Sequence, residues 1–161
     1  MMPRIVVLAV ISGALTLSVA MGRAPRDKKE GGAMEDVAKL AATEASPSFW
    51  RGAQSGVSKP DIRVVKEEKA WAALWKEEFN TEAPKVDFSR YFAVAVFLGL
   101  RNTGGYGVEF LTPVAEKGKV RIAYRVKSPG TGSFVIQAFT QPYAIQLYRR
   151  TPLEVTVEKG D

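Results

Sequence analysis

The sequence contains no cysteine and no histidine among its 161 residues. These absences exclude cysteine nucleophiles, Ser-His-Asp triads, imidazole bases and zinc sites built from these residues. The S-x-x-K spacing, the G-x-S-x-G elbow and the G-x-x-x-x-G-K-[ST] phosphate loop are also absent. No pair among the 17 acidic residues stands out from ordinary surface charge. We therefore predict a protein that is not an enzyme and has no cofactor and no metal site.

Residues 1–22 have the composition of a signal peptide. Arg4 precedes an uncharged apolar run over residues 5–21, and the small residues Ser18, Ala20 and Gly22 offer cleavage sites. As a helix the run spans about 25 Å, which is short for a bilayer core of about 30 Å. The basic residues that follow, at positions 23, 26, 28 and 29, instead favour a retained membrane anchor.

Both alternatives place the rest of the chain outside the cytoplasm, either periplasmic or secreted, with a membrane tether only if residues 5–21 stay uncleaved. A cysteine-free chain has no site for lipoprotein acylation. The formal charge of +6 falls to +5 without residues 1–22, because only Arg4 is removed. This modest excess favours an anionic envelope surface or an acidic protein partner. Nucleic acid is not expected, since the basic residues are scattered and no recognition helix is evident.

Residues 23–48 are dominated by charged residues, glycine, alanine and proline, and they contain no aromatic side chain before Phe49. This composition predicts a flexible linker, and the alternative is one weak helical turn of Met34, Val37 and Leu40 that forms on binding. From Phe49 the composition changes, and residues 49–161 are predicted to form one β-rich domain. A domain of this length can bury a sufficient core without disulfide bonds.

The periodicity of the domain predicts one helix among strands. Trp71, Leu74 and Trp75 recur at helical spacing within residues 66–79, which indicates an amphipathic helix. The two tryptophans suit either core packing or a ligand platform, and the former is the commoner use. Residues 91–100 are continuously apolar and predict a strand buried on both faces.

Further strands are predicted at residues 49–56, 61–65, 106–111, 119–127, 134–140, 143–150 and 153–159. The segments 134–140 and 143–150 are expected to form a hairpin. The short connections favour antiparallel pairing. The fold class is therefore α+β, a mostly antiparallel β-sandwich or small barrel with one amphipathic helix packed on it.

A glycine-rich loop, residues 98–111, is the candidate site. Gly104, Gly105 and Gly107 surround Tyr106 between two apolar runs. One or two of these glycines suit a turn, whereas Gly107, inside a strand pattern, suggests a bulge or a close backbone approach. The loop is thus either a turn only or a contact surface rich in Gly and Tyr. The predicted protein-binding residues, at one end of the sheet, are Asn102, Thr103, Gly104, Gly105, Tyr106, Gln141, Pro142 and Tyr143.

Residues 50–150 resemble the PrcB-type family, the C-terminal domain of a protease complex subunit. The motifs that carry the resemblance are Ser55-Gly56, Trp71 with Leu74-Trp75, Val86-Asp87-Phe88, Gly99, Thr103-Gly104-Gly105-Tyr106 and Thr140-Gln141-Pro142-Tyr143. The resemblance implies an exported, non-catalytic domain that assists, stabilises or restrains an extracytoplasmic protease, with no catalytic residues. The missing lipoprotein cysteine departs from the family's surface anchoring.

The segment from Asn102 to Tyr106 also resembles the N-P-T-T-G-Y loop of chagasin-like cysteine-protease inhibitors. It lacks the proline, an aromatic residue after Tyr106 and an R-P-W partner loop. This resemblance implies an alternative function, direct inhibition of a protease by residues 101–106. A third possibility is a structural envelope domain unrelated to proteolysis.

Overall fold

The computed structural model describes residues 37–42 and 44–160, so the predicted signal peptide lies outside the described residues. Within this part of the chain there are eight strands and one helix. The elements are β1 (Phe49–Gly52), β2 (Asp61–Val65), α1 (Glu68–Phe79), β3 (Tyr91–Phe97), β4 (Gly107–Phe110), β5 (Val114–Glu116), β6 (Lys119–Lys127), β7 (Tyr143–Arg149) and β8 (Glu154–Lys159).

The strands form two four-stranded sheets. The first has the order β1-β7-β3-β2, and every pair in it is antiparallel. In the second, β6 pairs antiparallel with β4 and β5 and parallel with β8. The predicted α+β sandwich with mostly antiparallel pairing is confirmed, and β8 supplies its one parallel pair among the described strands.

Strand β3 is buried at all seven positions, and its alternate side chains enter two different cores. Tyr91, Ala93, Ala95 and Phe97 join the cluster beneath α1. Phe92, Val94 and Val96 join the cluster shared with the second sheet. Because successive side chains of a strand point to opposite faces, a continuously apolar strand requires a cover on each side. The helix, the first sheet and the second sheet therefore form three layers.

The helix packs on the first sheet through an aromatic cluster. Trp71, Leu74 and Trp75 are buried on one face of α1, as their spacing predicts. The rings of Trp71, Trp75 and Trp50 contact one another at centroid distances of 5.4 to 5.9 Å. The indole Nε1 of Trp71 donates to the Pro84 carbonyl at 2.7 Å. The two helix tryptophans are core residues, and the ligand-platform alternative is not supported.

The predicted strand at residues 134–140 is wrong, and with it the predicted hairpin. Residues 134–140 have no strand conformation apart from an isolated bridge between Thr140 and Arg101. The physical reason is that β7 pairs with β1 along one edge and with β3 along the other. A further strand has no edge of β7 to join, so this apolar segment crosses the surface as a loop.

The packed part of the chain begins before the predicted domain boundary at residue 49. Val37, Leu40 and Ala42, placed in the linker by composition, are buried. The backbone N–H of Ala42 donates to Leu147 at 3.0 Å, and the Leu40 carbonyl accepts from Arg149 at 2.7 Å. These residues extend the edge of the first sheet beside β7.

Replacement of Trp75 by alanine tests the contribution of the aromatic cluster. We expect Trp75→Ala to lower the free energy of unfolding by about 3–5 kcal/mol, because it deletes a buried ring that three other rings contact. Urea denaturation followed by circular dichroism measures the change. Leu100→Ala, at a side chain that is half exposed, serves as the control and should cost far less. Equal midpoints for Trp75→Ala and the unchanged chain would contradict the prediction.

Glu44 links the segment before β1 to the first sheet. Its Oε1 accepts from Arg149 Nε at 2.8 Å and from Tyr91 Oη at 3.1 Å. The hydrogen bond from Arg149 is the largest contribution that lowers the pKa of Glu44 to about 2.

Because the pKa is lower in the folded state, this carboxylate stabilises the fold above the unfolded pKa near 4.5, and the contribution is lost as pH falls toward 2. We expect Glu44→Gln to lower the melting temperature at neutral pH and to flatten its decline between these pH values. Thermal melts across the range measure both effects. If the melting temperatures of the two proteins change with pH in parallel, Glu44 does not contribute to the pH dependence of stability.

Candidate functional site

The glycine-rich loop is hydrogen-bonded to the apolar loop that precedes β7. Arg101 and Thr140 exchange backbone hydrogen bonds of 2.8 and 2.9 Å, and the Gly104 N–H donates to the Ile136 carbonyl at 3.0 Å. The hydroxyl of Thr140, which is fully buried, donates to the Thr103 carbonyl at 2.8 Å. The two loops therefore form one connected surface rather than two independent turns.

Two of the three glycines are explained by the close approach of these loops. A β-carbon on Gly104 would lie 2.7 Å from Ile136 Cγ1. One on Gly105 would lie 2.8 Å from Val135 Cγ1, and the φ of Gly105 is +83°, where side chains are disfavoured. Packing within the chain therefore requires glycine at both positions.

Gly107 is different, because a β-carbon there would have no atom within 4 Å. It opens into a cleft of about 650 Å³ between β1 and β4. Phe49 and Arg51 line the cleft from β1, and Phe110 lines it from β4. No described group approaches this backbone closely, so the approach of a partner to Gly107 stays a prediction.

The structure brings the two predicted site segments together. Tyr106 and Tyr143 both line the cleft, so the glycine-rich loop and the turn before β7 lie at the same end of the sheet. Among the eight predicted residues Asn102 and Gly105 are exposed, Thr103, Tyr106, Gln141 and Tyr143 are half-buried, and Gly104 and Pro142 are buried. Pro142 has a structural role, since its carbonyl accepts from the Leu98 N–H at 2.9 Å.

A neighbouring side chain packs against the ring of each tyrosine. The Arg101 guanidinium carbon lies 5.5 Å from the centroid of the Tyr106 ring. The Tyr143 ring lies 4.6 Å from that of Phe79, and burial raises the pKa of its hydroxyl. The two rings belong to different cores, since Tyr143 packs against the cluster beneath α1 and Tyr106 against the cluster shared with the second sheet.

Sequence reasoning missed a second feature, the exposed apolar side chains of the loop that it took for a strand. Phe134 is fully exposed, Ile136 is 63% exposed and Phe139 is 67% exposed. Leu100, from the glycine-rich segment, is 49% exposed. We call these four side chains the apolar loop surface. Three of them, at positions 134, 136 and 139, lie in one stretch without charged residues, 128–140, and an exposed apolar patch is typical of an interaction site.

Two other kinds of site were sought within residues 37–42 and 44–160. That part of the chain groups no three acidic side chains in a way that could hold a metal ion. It also contains no helix with the length and hydropathy needed to cross a membrane.

Alanine substitutions at Gly105 and Gly107 distinguish the glycine with a strained backbone from the glycine beside open space. We expect Gly105→Ala to lower the free energy of unfolding by about 1–2 kcal/mol or more, because positive φ and the contact with Val135 both oppose a β-carbon. Gly107→Ala should leave stability unchanged or raise it by up to about 1 kcal/mol. Chemical denaturation of both variants provides the measurement. Similar losses at the two positions would show that the space beside Gly107 is not open.

Comparison with curated proteins and with solved structures gives no match. The likeness of residues 102–106 to chagasin-like inhibitors finds no support there and stays a prediction. Residues 92–146, from β3 into β7, match the family described as PrcB C-terminal. They include the glycine-rich loop, the apolar loop and Tyr143. The predicted resemblance to the PrcB-type family is thus confirmed over residues 92–146.

Proposed function

We propose that this chain is an exported, non-catalytic protein-binding domain that assists, stabilises or restrains an extracytoplasmic protease. The observation that carries the proposal is the apolar loop surface, which places Leu100, Phe134, Ile136 and Phe139 in water beside the glycine-rich loop. The PrcB-type match supports a protease complex as its setting. The signal-like composition of residues 1–22 supports a location outside the cytoplasm.

The apolar loop surface is suited to binding because the hydrogen bonds between the loops fix it in advance. The bonds from Gly104 to Ile136 and from Thr140 to Thr103 hold its backbone without a partner. A preorganised loop loses less entropy when it binds. Covering one exposed phenylalanine contributes about 1.5–3 kcal/mol before the cost of association, so Phe134 and Phe139 are suited to be anchors of a larger interface.

Direct inhibition is the second candidate, and the exposure of Asn102 and Gly105 favours it. These two residues protrude from the loop beside the apolar surface, where an enzyme's cleft has access to them. A direct inhibitor lowers the rate at which the bound protease hydrolyses its substrate. An accessory domain leaves that rate unchanged or prolongs the activity.

Capture of proteolytic activity tests the proposal. The full chain, immobilised through its C-terminus, is incubated with an envelope fraction of the source cell, and hydrolysis of labelled casein is measured in the eluate. We expect activity to be retained by the unchanged chain. It should fall at least about tenfold with Phe134→Ser combined with Phe139→Ser, since exposed aromatic anchors carry much of the energy of an interface.

The matched control combines Val64→Ser with Val114→Ser, two exposed apolar residues on strands outside the apolar loop surface. It should retain the captured activity. An eluate without proteolytic activity, or equal activity with both double variants, would contradict the proposal. Adding free chain to the eluted protease then separates the candidates, because only a direct inhibitor slows hydrolysis in proportion to its concentration.

A further inference from the structure

The cleft lies between one edge of β1 and one edge of β4. No described residue forms a β-ladder with either of these edges. Strand β1 pairs with β7 alone and β4 pairs with β6 alone among the described strands. Each of these strands has four residues. Their free edges are therefore short and lie on the same side of the sandwich.

The hydrogen-bond pattern shows which backbone groups are unpaired. Leu111 donates to Ala123 at 2.8 Å, which extends the β4–β6 ladder by one pair. In an antiparallel ladder every second residue bonds to the partner strand. Gly107 and Glu109 thus bond toward β6, whereas the N–H and C=O groups of Val108 and Phe110 point to the free edge.

Among the described residues, one positive charge in the cleft lining has no acidic partner. Arg51 contacts the Phe49 ring at 6.0 Å, and no carboxylate of the described residues forms an ion pair with it. The one acidic side chain in the lining, Glu109, is already shared between Arg125 at 3.3 Å and Lys127 at 3.4 Å.

Strand β8 forms another edge of the second sheet. Unlike the edge of β4, it is protected against the addition of a further strand. Glu154 pairs with Lys119 at 2.9 Å, and Glu158 pairs with Arg121 at 3.0 Å. Charged side chains along an edge oppose the addition of another strand. On β4, the space beside Gly107 is open, and Arg51 across the cleft attracts negative charge.

We propose that this cleft binds an extended, acidic segment of a partner protein, which adds as a strand to the free edge of β4. Addition to a sheet edge satisfies the outward backbone groups of Val108 and Phe110, and alternate side chains of the added strand then enter the cleft. A carboxylate of the segment pairs with Arg51. This inference does not depend on the partner being a protease, and it concerns a surface separate from Phe134 and Phe139.

Peptide binding to the full chain provides the test. The probes are a fluorescent heptapeptide of alternating valine and glutamate, its counterpart with lysine in place of glutamate, and an acidic version with N-methylated backbone amides. We expect only the first to bind. Gly107→Leu should weaken binding at least about tenfold because the side chain fills the open space. Arg51→Gln should weaken it several-fold.

Val114→Leu, which enlarges an exposed side chain on β5 of the same sheet, is the matched control and should leave affinity unchanged. Unfolding midpoints show that the Gly107→Leu protein is folded. Hydrogen exchange measured by NMR adds a direct readout, since the amides of Val108 and Phe110 should exchange slowly only with the acidic peptide bound.

Equal binding of the acidic and basic peptides, or no binding of either, would overturn the proposal. So would slow exchange of the Val108 and Phe110 amides in the free monomer, which would mean that the chain's own N-terminal residues cover the edge. Protection that rises with protein concentration, together with a dimer in sedimentation, would assign the edge to a second copy instead. The peptide experiment does not depend on the capture experiment. If the capture experiment detects no casein hydrolysis, the proposed protease function fails, and peptide binding still decides whether the edge of β4 accepts an acidic segment.

Discussion

Burial of β3 on both faces is the constraint on which the rest of the structure depends. All seven side chains of this strand are inaccessible, so it needs an apolar cover on each side. The aromatic face of α1 covers one side and the second sheet covers the other. With no cysteine in the chain, these two cores and the backbone ladders stabilise the domain without disulfide bonds.

The same strand determines where the candidate site lies. Phe97, at the end of β3, is directly opposite Tyr143, at the start of β7. The chain that leaves β3 and the chain that enters β7 must therefore meet at one end of the sheet. Their backbones bond to each other through Arg101 and Thr140. The connected loops and the mouth of the cleft thus follow from one antiparallel register.

Local periodicity predicted the elements whose environment is determined within a few residues. The spacing of Trp71, Leu74 and Trp75 predicted the helix, and the uninterrupted apolar run predicted the central strand. The segment 134–140 has strand-like residues as well, but strand formation depends on a free edge, and both edges of β7 are occupied. Residues 37–42 escaped prediction for the complementary reason. They lie in a segment, residues 23–48, that is rich in charged and small residues and has no strong periodicity, and the burial of Val37 and Leu40 depends on a distant part of the chain.

The glycines show how far a sequence motif can be interpreted. Gly104 and Gly105 suggested a binding loop, yet both are required by the loop that packs against them. Of the three glycines in the motif, only Gly107 faces open space, and distinguishing it from its neighbours required the position of Val135 and Ile136. The residues that stabilise the fold are therefore different from the candidate binding residues. The tryptophan cluster and β3 maintain the fold, whereas Phe134 is fully exposed and the space beside Gly107 is open.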